Sequence, residues 1–568
     1  MDQNLKNIIA AISLSICVVV LYSLFFLDPN KTADPSDEKN KEILEKSEAP
    51  TVTEKKEITK KISREEALKV SNRIYFENQT VRGSINLEGG MIDDLELKKY
   101  DKTLNSIEKI KLLNPILTDK GYMFNTGWAT NDNISVPDTK SIWKVEGNNK
   151  LQPNSSVKIY YENKQGIRFE RLISLDENYL FTIKQSLVNN SKDSFKFYPY
   201  ATVKRNNVPD DLTDFYIVHE GYSIIDPSNN DLDEVDYDDV LEKDFSKKVI
   251  NGVLVQGDKY WMTSILPEKG REVRFDIKYN KKYIASYIDL KGYETRPNSV
   301  IEHTVQSLLG AKEIELINEY QDNLNIKKLD LIVNFGNLYF IVKPMWYVLD
   351  YLYKFTNNFG YSIILLTVLI RLVFFPLNQY SMKSMGRMKK ISPQLENLKA
   401  RFKDDKTQLQ KEMIKLYREN GINPAASCLP IIIMIPFFFG IYKLLLIDSA
   451  MRHAPFMWIW QDLSAKDPSS LFNLFGLLPY SVPGFLEIGI LPVLMGATMH
   501  LQMRLSPQPG GAGDMAKMQK QIFMFMPLVL TVILAPFAAG LVLYWCATNV
   551  LTILQQAVIN RTIKVKDF

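Results

Sequence analysis

An arginine within an apolar stretch is the residue of this sequence most able to act on another molecule. Arg371 lies in the run 361–377, which is long enough to cross a bilayer. A guanidinium stays charged at any ordinary pH, and placing one at mid-depth in a membrane costs roughly 2.5–3.5 kcal/mol. Glu487, at a helix margin, is the one acid in the predicted membrane helices. We therefore expect Arg371 to need water and a negative partner from outside the chain.

Other polar residues share a helix face with this arginine or lie on the last apolar segment. Thr367, Arg371 and Asn378 are spaced by four and seven residues, which places them on one side of a helix. A second polar stripe consists of Tyr544, Thr548, Thr552 and Gln555. Two such helices can line a hydrated groove. Alternatively, Arg371 could snorkel to the membrane surface, and the hydroxyl and amide groups could simply join neighbouring helices.

The charge distribution divides the chain into two unlike parts. Residues 361–568 contain 21 Lys and Arg against 11 Asp and Glu, whereas residues 1–360 carry a net charge of −6. Apolar stretches long enough to span a bilayer lie at 361–380, 426–447, 486–504, 521–537 and 540–559. With an N-terminal apolar segment they predict six spans. The basic loops 381–424 and 505–520 place both termini in the cytoplasm.

The N-terminal residues predict a membrane anchor followed by a spacer. The apolar run 8–27 is about as long as a full span, and no small-residue cleavage site follows it. Residues 1–27 therefore predict an uncleaved signal-anchor helix. Residues 28–62 are rich in Lys, Glu, Pro and Thr and contain too few apolar residues to fold, which predicts a disordered tether.

Residues 63–330 show the alternation that is typical of antiparallel strands. Val157, Ile159 and Tyr161 alternate with polar neighbours, and Phe169 and Leu172 continue the pattern after a turn. Many short segments of this kind, separated by Asn, Asp and Gly, predict a large all-β sandwich domain. We place this domain outside the membrane, on the side opposite the basic loops.

Adjacent carboxylates in the β region suggest an alternative function. Asp93–Asp94 and Asp210–Asp211 could serve glycan hydrolysis in a membrane-anchored envelope enzyme. The simpler interpretation is that they are solvated turn residues, because neighbours in a strand point to opposite faces. The four histidines have no metal-ligand spacing, and no phosphate-binding glycine loop is present. We expect no cofactor and no metal.

Two amphipathic regions flank the first apolar stretch of the second part. Residues 331–360 predict a helix that lies in the outer membrane interface with Trp346 at the headgroup level, or alternatively one that packs on the β domain. The basic loop 381–424 predicts an antiparallel helical hairpin with charged outer faces. Its candidate contacts with a nascent chain, a ribosome or a targeting factor are Met385, Met388, Lys389, Lys390 and Arg401. The two methionines could form a pliable binding surface, although such methionines more often close a hairpin core.

Several motifs in the last 210 residues together resemble the YidC membrane-insertase family, in its form with a large periplasmic domain. They are TVLIR at 367–371, FPL at 375–377, WQDL at 460–463, FMP at 525–527 and GLVLYW at 540–545. The resemblance covers the whole chain. Departures from the family pattern are Met434, where some relatives have Gln, an additional apolar stretch at 471–485, and a short tail after Arg561.

The resemblance implies a polytopic α-helical protein of a Gram-negative inner membrane, with five spans at 361–568 as its insertase core. It implies insertion and folding of newly made membrane proteins, alone or with the Sec translocon, without catalysis and without nucleic acid. Arg371 corresponds to the family's groove arginine, and Thr367 with either Tyr544 or Trp545 corresponds to its substrate contacts. The periplasmic domain is expected to be a β-supersandwich, which is a sugar-enzyme-like fold. The alternative functions are transport of a small anion and the envelope enzyme described above.

Overall fold

The structure is a computed structural model that describes residues 61–104, 106–212, 218–229, 231–402, 405–423, 429–474, 478, 482–483, 487–505 and 514–566. The predicted signal anchor, residues 1–27, and all but the last two residues of the predicted tether lie outside these ranges. The chain contacts separate a unit that ends at Asn334 from a unit that begins at Phe335.

The first unit consists mainly of β-strands. The strands are β1 (Arg73–Glu77), β2 (Val81–Asn86), β3 (Met91–Asp101), β4 (Lys109–Leu113), β5 (Tyr122–Ala129), β6 (Lys144–Glu146), β7 (Lys150–Leu151), β8 (Ser156–Glu162), β9 (Ile167–Leu175), β10 (Leu180–Asn189), β11 (Phe195–Arg205), β12 (Gly221–Asp226), β13 (Asp231–Asp236), β14 (Phe245–Ile250), β15 (Val253–Gly257), β16 (Trp261–Ile265), β17 (Glu272–Tyr279), β18 (Tyr283–Asp289), β19 (Tyr293–Thr295) and β20 (Val300–Ala311). Short helices are α1 (Arg64–Ala67), α2 (Tyr237–Glu242) and α3 (Ile314–Asn323).

These strands form two large and almost entirely antiparallel sheets. One has the order β14-β17-β18-β11-β5-β3-β2-β1-β7, with β19 beside β11 and β4 beside β3. The other has the order β13-β12-β15-β16-β20-β10-β9-β8-β6. Rings of the two sheets meet in one apolar core, where Phe76 contacts Phe181 and Phe169 contacts Phe197. The predicted all-β domain is confirmed, and its stability comes from apolar side chains buried between the sheets.

The alternation predicted in the β region is wrong at one position of β9. Ile167 and Phe169 are buried, as expected, but Leu172 is exposed and Arg171 takes the inward position beside it. Side chains of a strand alternate strictly, so Arg171 must face the core once Phe169 does. A charged residue at an inward position breaks the apolar pattern, which is why the sequence pattern favoured Leu172.

The interpretation of Asp93–Asp94 as solvated turn residues is also wrong. Both lie in β3 and are buried, and each carboxylate is paired with an arginine, Arg73 for Asp93 and Arg64 for Asp94. Ser84 donates a further hydrogen bond to Asp94, with 2.6 Å between the oxygens. Burial raises the pKa of Asp93, and the Arg73 guanidinium opposes that rise. Both carboxylates are thus engaged in structural ion pairs.

The second unit is helical. Its helices are α4 (Tyr339–Thr356), α5 (Phe359–Val373), α6 (Phe375–Lys390), α7 (Ser392–Arg401), α8 (Lys406–Glu419), α9 (Leu429–Ile447), α10 (Ile490–Leu505), α11 (Asp514–Leu534) and α12 (Ala539–Lys566). Each of the five apolar stretches predicted in this part overlaps one or two of these helices. Many large apolar side chains of α5, α10, α11 and α12 are exposed on the outside of the unit.

Length and composition single out few helices as complete membrane spans. Among the described residues, Ala539–Ile559 is long and apolar enough, and the pair Phe359–Val373 and Phe375–Met388 passes only if it is counted as one span. Ile432–Ile447 and Met524–Leu534 are shorter apolar helices. The structure thus supports a membrane-type helical region, and the number of six spans stays a prediction.

The stretch predicted as one span at 361–380 is bent by 63° between α5 and α6. Helix α5 ends before Phe374, and Pro376, in the first turn of α6, lacks the N–H that a continuous helix would use. The second helix therefore starts in a new direction at this point. The bend separates Asn378 from the helix that carries Thr367 and Arg371.

Helix α4 fulfils the prediction of a helix within 331–360, but its faces differ from the expected ones. Trp346 is only 5% exposed, and its indole nitrogen donates to an Asp448 carboxylate oxygen at 3.0 Å. The opposite face carries the exposed aromatic residues Phe340, Tyr347, Tyr351 and Phe355. Trp346 thus contacts protein, and other aromatic residues point outward.

Candidate functional site

Arg371 points into the helical unit, away from its apolar outer surface. The Arg371 side chain is 9% exposed, whereas the next two residues of α5, Leu372 and Val373, are 62% and 72% exposed. One turn earlier, Thr367 is fully buried and donates its hydroxyl to the Ile363 carbonyl at 2.7 Å. The predicted polar face of α5 is therefore turned toward the other helices.

The guanidinium of Arg371 has no acidic partner among the residues that the structure describes. Its Nε is buried without a hydrogen-bond acceptor. Tyr544 of α12 is the ionisable side chain that interacts with it electrostatically. Burying a cation without acceptors costs free energy, so the guanidinium requires contact with water or with a bound molecule.

Residues on three helices meet beside Arg371. The Gln555 amide of α12 donates to the Arg371 backbone carbonyl at 3.2 Å, and the Asn378 amide of α6 lies 3.5 Å from the Gln555 amide oxygen. Although the bend removes Asn378 from the helix of Arg371, it brings the Asn378 side chain to the same cluster. The predicted stripe is thus assembled from α5, α6 and α12.

The structure distinguishes the two aromatic candidates of α12. Tyr544 is buried on the side of Arg371, whereas Trp545 is half-buried and packs its ring against Phe438 of α9, with 5.1 Å between the ring centroids. One turn after Tyr544, the Thr548 hydroxyl is buried close to the tyrosine but meets no partner in hydrogen-bonding geometry. Tyr544 and Thr548 therefore belong to the Arg371 cluster, and Trp545 forms its apolar margin.

One end of the helical unit is closed by the loop that follows α9. Asn358, at the start of α5, donates its side-chain amide to the Phe456 carbonyl at 2.7 Å. A methyl group added to Gly360 would lie 2.0 Å from the Phe456 ring, so only glycine allows this approach. The same loop holds the start of α12, because Gly540 donates to the Leu463 carbonyl at 2.9 Å.

The loop also caps α10. The Asp467 carboxylate accepts from the Leu491 amide at 2.8 Å, and the Ser469 hydroxyl accepts from the Ile490 amide at 2.8 Å. Capping satisfies amide groups that have no partner inside a helix. Helices α5, α10 and α12 are thus tied together at this end, and the polar cluster around Arg371 lies farther along them.

Two functional candidates in this region were missed from the sequence. Asn549 of α12 is buried and donates to the Met495 carbonyl at 3.2 Å and to the Thr498 hydroxyl at 3.1 Å, which joins α12 to α10. Lys443 of α9 is a second buried cation, and it interacts with other groups of the protein. Its position within an apolar stretch was the available signal.

Comparison with known proteins decides the family. Residues 73–348 match the family model of the YidC periplasmic domain, and residues 351–566 match that of the 60Kd inner membrane protein. A membrane protein insertase YidC of Pelagibacter ubique (strain HTCC1062) is 46% identical over 99% of this chain and 100% of that protein. This chain belongs to the YidC family of membrane protein insertases. The resemblance drawn from the motifs is therefore confirmed.

A second relative supports this assignment, and one solved structure is also similar. The YidC insertase of Brucella suis biovar 1 (strain 1330) is 37% identical over 99% of this chain and 97% of that protein. A solved active YidC insertase aligns with 86% of this chain and 92% of its own chain, with a TM-score of 0.36 and 18% identity. The family is one of inner-membrane proteins.

The hairpin predicted at 381–424 is formed by the end of α6 together with α7 and α8. Met388 is buried with Ile391, Leu395 and Ile422, so it closes the hairpin core. Met385 is half-buried, whereas Lys390 and Arg401 are exposed. The Lys389 side chain lies outside the described residues. Of the two interpretations of the methionines, the structure favours core packing for Met388.

A polar cleft lies between α7 and α8. Its volume is about 320 Å³. Its lining residues are Gln394, Asn397, Leu398, Arg401, Glu412, Lys415, Leu416 and Glu419. Of the hairpin candidates, Arg401 is thus placed in a concave surface that carries both positive and negative charge.

Proposed function

We propose that this chain inserts newly made membrane proteins through a hydrated groove between α5, α6 and α12. The observation that supports this most directly is the buried guanidinium of Arg371, which lacks an acidic partner in the described part of the chain. Asn378, Tyr544, Thr548 and Gln555 surround the same region. A cation held in this way is free to attract a negative group from another molecule.

The groove lowers the cost of moving a short polar segment part-way across the membrane. Arg371 attracts acidic residues of that segment, and polar groups such as Thr548 replace part of its hydration. The membrane potential favours outward movement of negative charge by about 2.3 kcal/mol per charge at 100 mV. The apolar helix of the substrate then leaves along the outer side of the groove, because burial in hydrocarbon is favourable. No covalent step is required.

The closed end of the helical unit corresponds, in this proposal, to the outer side of the membrane. The Asn358, Leu463 and Asp467 contacts hold the loop across that end, and in this proposal the loop limits the passage of ions and water. The basic hairpin marks the cytoplasmic side, in agreement with the positive-inside rule. Both termini are then cytoplasmic, the β domain is periplasmic, and the chain has six spans with the signal anchor included. The host is a Gram-negative bacterium.

The outer surface of the second unit supports contact with lipid. Exposed apolar residues of α5, α11 and α12, such as Leu372, Leu528 and Leu554, would face water unfavourably in a soluble protein. The outward aromatic face of α4, with Phe340 and Tyr351, suits the headgroup region, where aromatic rings are enriched. We therefore place α4 in the outer interface, as its sequence predicted.

The hairpin is the proposed contact for cytoplasmic partners. Exposed Lys390 and the cleft residue Arg401 offer positive charge to a ribosome, to a targeting factor or to an emerging nascent chain. Cooperation with the Sec translocon is part of the proposal, as the family resemblance implies. Direct recognition of nucleic acid is not part of it.

Depletion of the protein followed by pulse-labelling of a small substrate tests this function. Suitable substrates are a phage-coat-like protein and an ATP-synthase subunit-c-like protein, each carrying a periplasmic cleavage site. We expect insertion to fall when the protein is depleted and to recover when it is supplied again. Unchanged insertion after complete depletion would contradict the proposal.

A further inference from the structure

The chain contains an uncharged apolar segment whose role the insertase function leaves open. Residues 471–486 include no Asp, Glu, Lys or Arg and are mostly Leu, Phe, Pro and Gly. Among the described residues of this segment, Leu471, Leu474 and Leu478 are exposed. Leu474 is 51% exposed at the end of a short helical turn and has a left-handed backbone with φ of 51°.

The two ends of this segment are held together. The Leu471 amide donates to the Ile488 carbonyl at 2.9 Å, and the Ser469 hydroxyl accepts from the Ile490 amide. The segment therefore leaves and returns at the start of α10. The exposed residue Leu471 therefore lies beside the start of α10.

Other exposed apolar residues lie on α10 and in the loop after α9. Val493 and Leu494, in the first turns of α10, are exposed. In the loop after α9, Trp458 is 76% exposed at a turn in which the Phe456 amide donates to the Trp460 carbonyl at 2.8 Å. Trp458 also has a positive φ of 51°, which a large aromatic residue rarely adopts. The fold thus holds this ring outward.

We propose that Trp458 and the apolar residues Leu471, Leu474 and Leu478 are immersed in the lipid interface of the outer leaflet. Lipid is the occupant that fits best, because the segment offers no charge to a protein partner and α10 exposes further apolar side chains at Val493 and Leu494. Tryptophan is the residue type most suited to the boundary between headgroups and acyl chains. The segment would then anchor the closed end of the groove at a fixed depth.

Spin-label accessibility in the full chain tests the proposal. The parent variant carries C17S, C428S and C546A, and single cysteines are then introduced by L474C, L471C or W458C. The labelled proteins are reconstituted in vesicles of phosphatidylethanolamine and phosphatidylglycerol. Collision rates are measured with oxygen, which partitions into lipid, and with a nickel chelate, which stays in water.

We expect oxygen collisions to exceed nickel collisions several-fold at Leu474 and Trp458. Two matched controls set the scale: Y75C, at an exposed position of β1, reports water, and L372C, on the outer face of α5, reports lipid. Dominant nickel collisions at Leu474 and Trp458 would overturn the proposal. Protection from both reagents would overturn it as well, because it would show that protein covers the segment.

A second measurement serves if the cysteine-free parent does not fold. The wild-type protein and W458F are compared in vesicles whose lipids carry bromine near the headgroup or deep in the chain. We expect shallow bromine to quench the Trp458 component of the fluorescence, and iodide to leave it largely unchanged. The opposite pattern would refute lipid contact. The proposal rests on the orientation proposed above, but neither readout depends on insertion activity, so the two can fail separately.

Discussion

Among the residues that the structure describes, two arginines are buried without an acidic partner, one in each unit, and their surroundings differ. In the β domain, Arg171 donates to the carbonyl of Gly90 at 2.6 Å, to the Asn125 amide oxygen at 3.2 Å and to the Thr126 carbonyl. Its guanidinium also lies 4.1 Å from the centre of the Trp143 ring. In the helical unit, Arg371 has no comparable set of acceptors among the described residues.

The difference shows which of the two cations is available to another molecule. Burial lowers the pKa of Arg171 to about 10, so the group stays charged at neutral pH and is stabilised by neutral oxygens and an aromatic face. These contacts occupy much of its hydrogen-bonding capacity, and it serves the fold. Arg371 has fewer hydrogen-bond acceptors than Arg171 among the described residues, as the proposed insertase groove requires.

The largest expected effect comes from reversing the charge of the open arginine. Arg371→Glu should lower insertion of a substrate with an acidic translocated segment by on the order of 100-fold, equivalent to about 3 kcal/mol, because attraction becomes repulsion. Arg371→Lys should retain most activity if charge rather than fork geometry matters. Complementation of a depletion strain with pulse-labelled substrate measures both. Equal loss in the two variants would show that geometry, and not charge, is decisive.

The corresponding change in the β domain should affect stability and not the groove. Arg171→Met leaves the Gly90 and Thr126 carbonyls without their donor and removes the contact with Trp143, so we expect a loss of about 2–4 kcal/mol. Pulse proteolysis of the full chain in urea measures this loss. The control is Arg168→Met, which changes a less buried arginine of the same strand and should cost less. An unchanged urea midpoint for Arg171→Met would refute the structural role of these contacts.

A buried lysine of the β domain, Lys312, predicts that the stability of the fold depends on pH. Burial lowers the pKa of Lys312 to about 8 in the folded chain, whereas an unfolded lysine has a pKa near 10.4. Between these values the unfolded state binds more protons, so stability should rise with pH by up to about 1.4 kcal/mol per unit. Urea unfolding of the full chain between pH 8 and 10 measures the slope. Lys312→Met should reduce it, and an identical slope in the variant would contradict the assignment.

The smallest expected effect tests whether an acid within the chain competes with the substrate for Arg371. Gln555→Glu places a carboxylate beside the backbone of Arg371. From there the carboxylate can pair with the guanidinium in place of an acidic group of the substrate. We expect a several-fold loss of insertion, larger than that of the neutral control Gln555→Leu. The same pulse-labelling assay measures both variants. If Gln555→Glu inserts as well as the wild type, an internal acid does not compete with the substrate.

The sequence predicted some of these features because they depend on local spacing. Thr367 and Arg371 on one helix face, the alternation around Val157 and Phe169, and the hairpin core at Met388 follow from strand and helix periods. Other features depend on contacts between distant residues, which one sequence does not display. The pairing of Asp93 with Arg73 and the carbonyl cage of Arg171 are of this second kind.

The bend at Pro376 depends both on local sequence and on contacts between distant residues. Its residue type was visible in the sequence, but its direction and the return of Asn378 to Gln555 depend on packing against α12. The loop after α9 contacts Asn358 at the start of α5, and through Leu463 and Asp467 it contacts the starts of α12 and α10. These contacts were likewise visible only in the structure. Sequence therefore identified the arginine, and the structure identified what surrounds it.

Reaction of a groove cysteine with a membrane-impermeant maleimide tests the central claim that Arg371 is kept hydrated. In the C17S, C428S and C546A background, Thr548→Cys places a thiol on the groove side of α12, and Leu554→Cys places one on the exposed apolar side. The reagent is added to inverted vesicles, whose cytoplasmic face is outward. We expect rapid labelling at position 548 and little at position 554. Absence of labelling at both positions, in a variant that still inserts substrate, would show that the site is dry and that Arg371 is not hydrated.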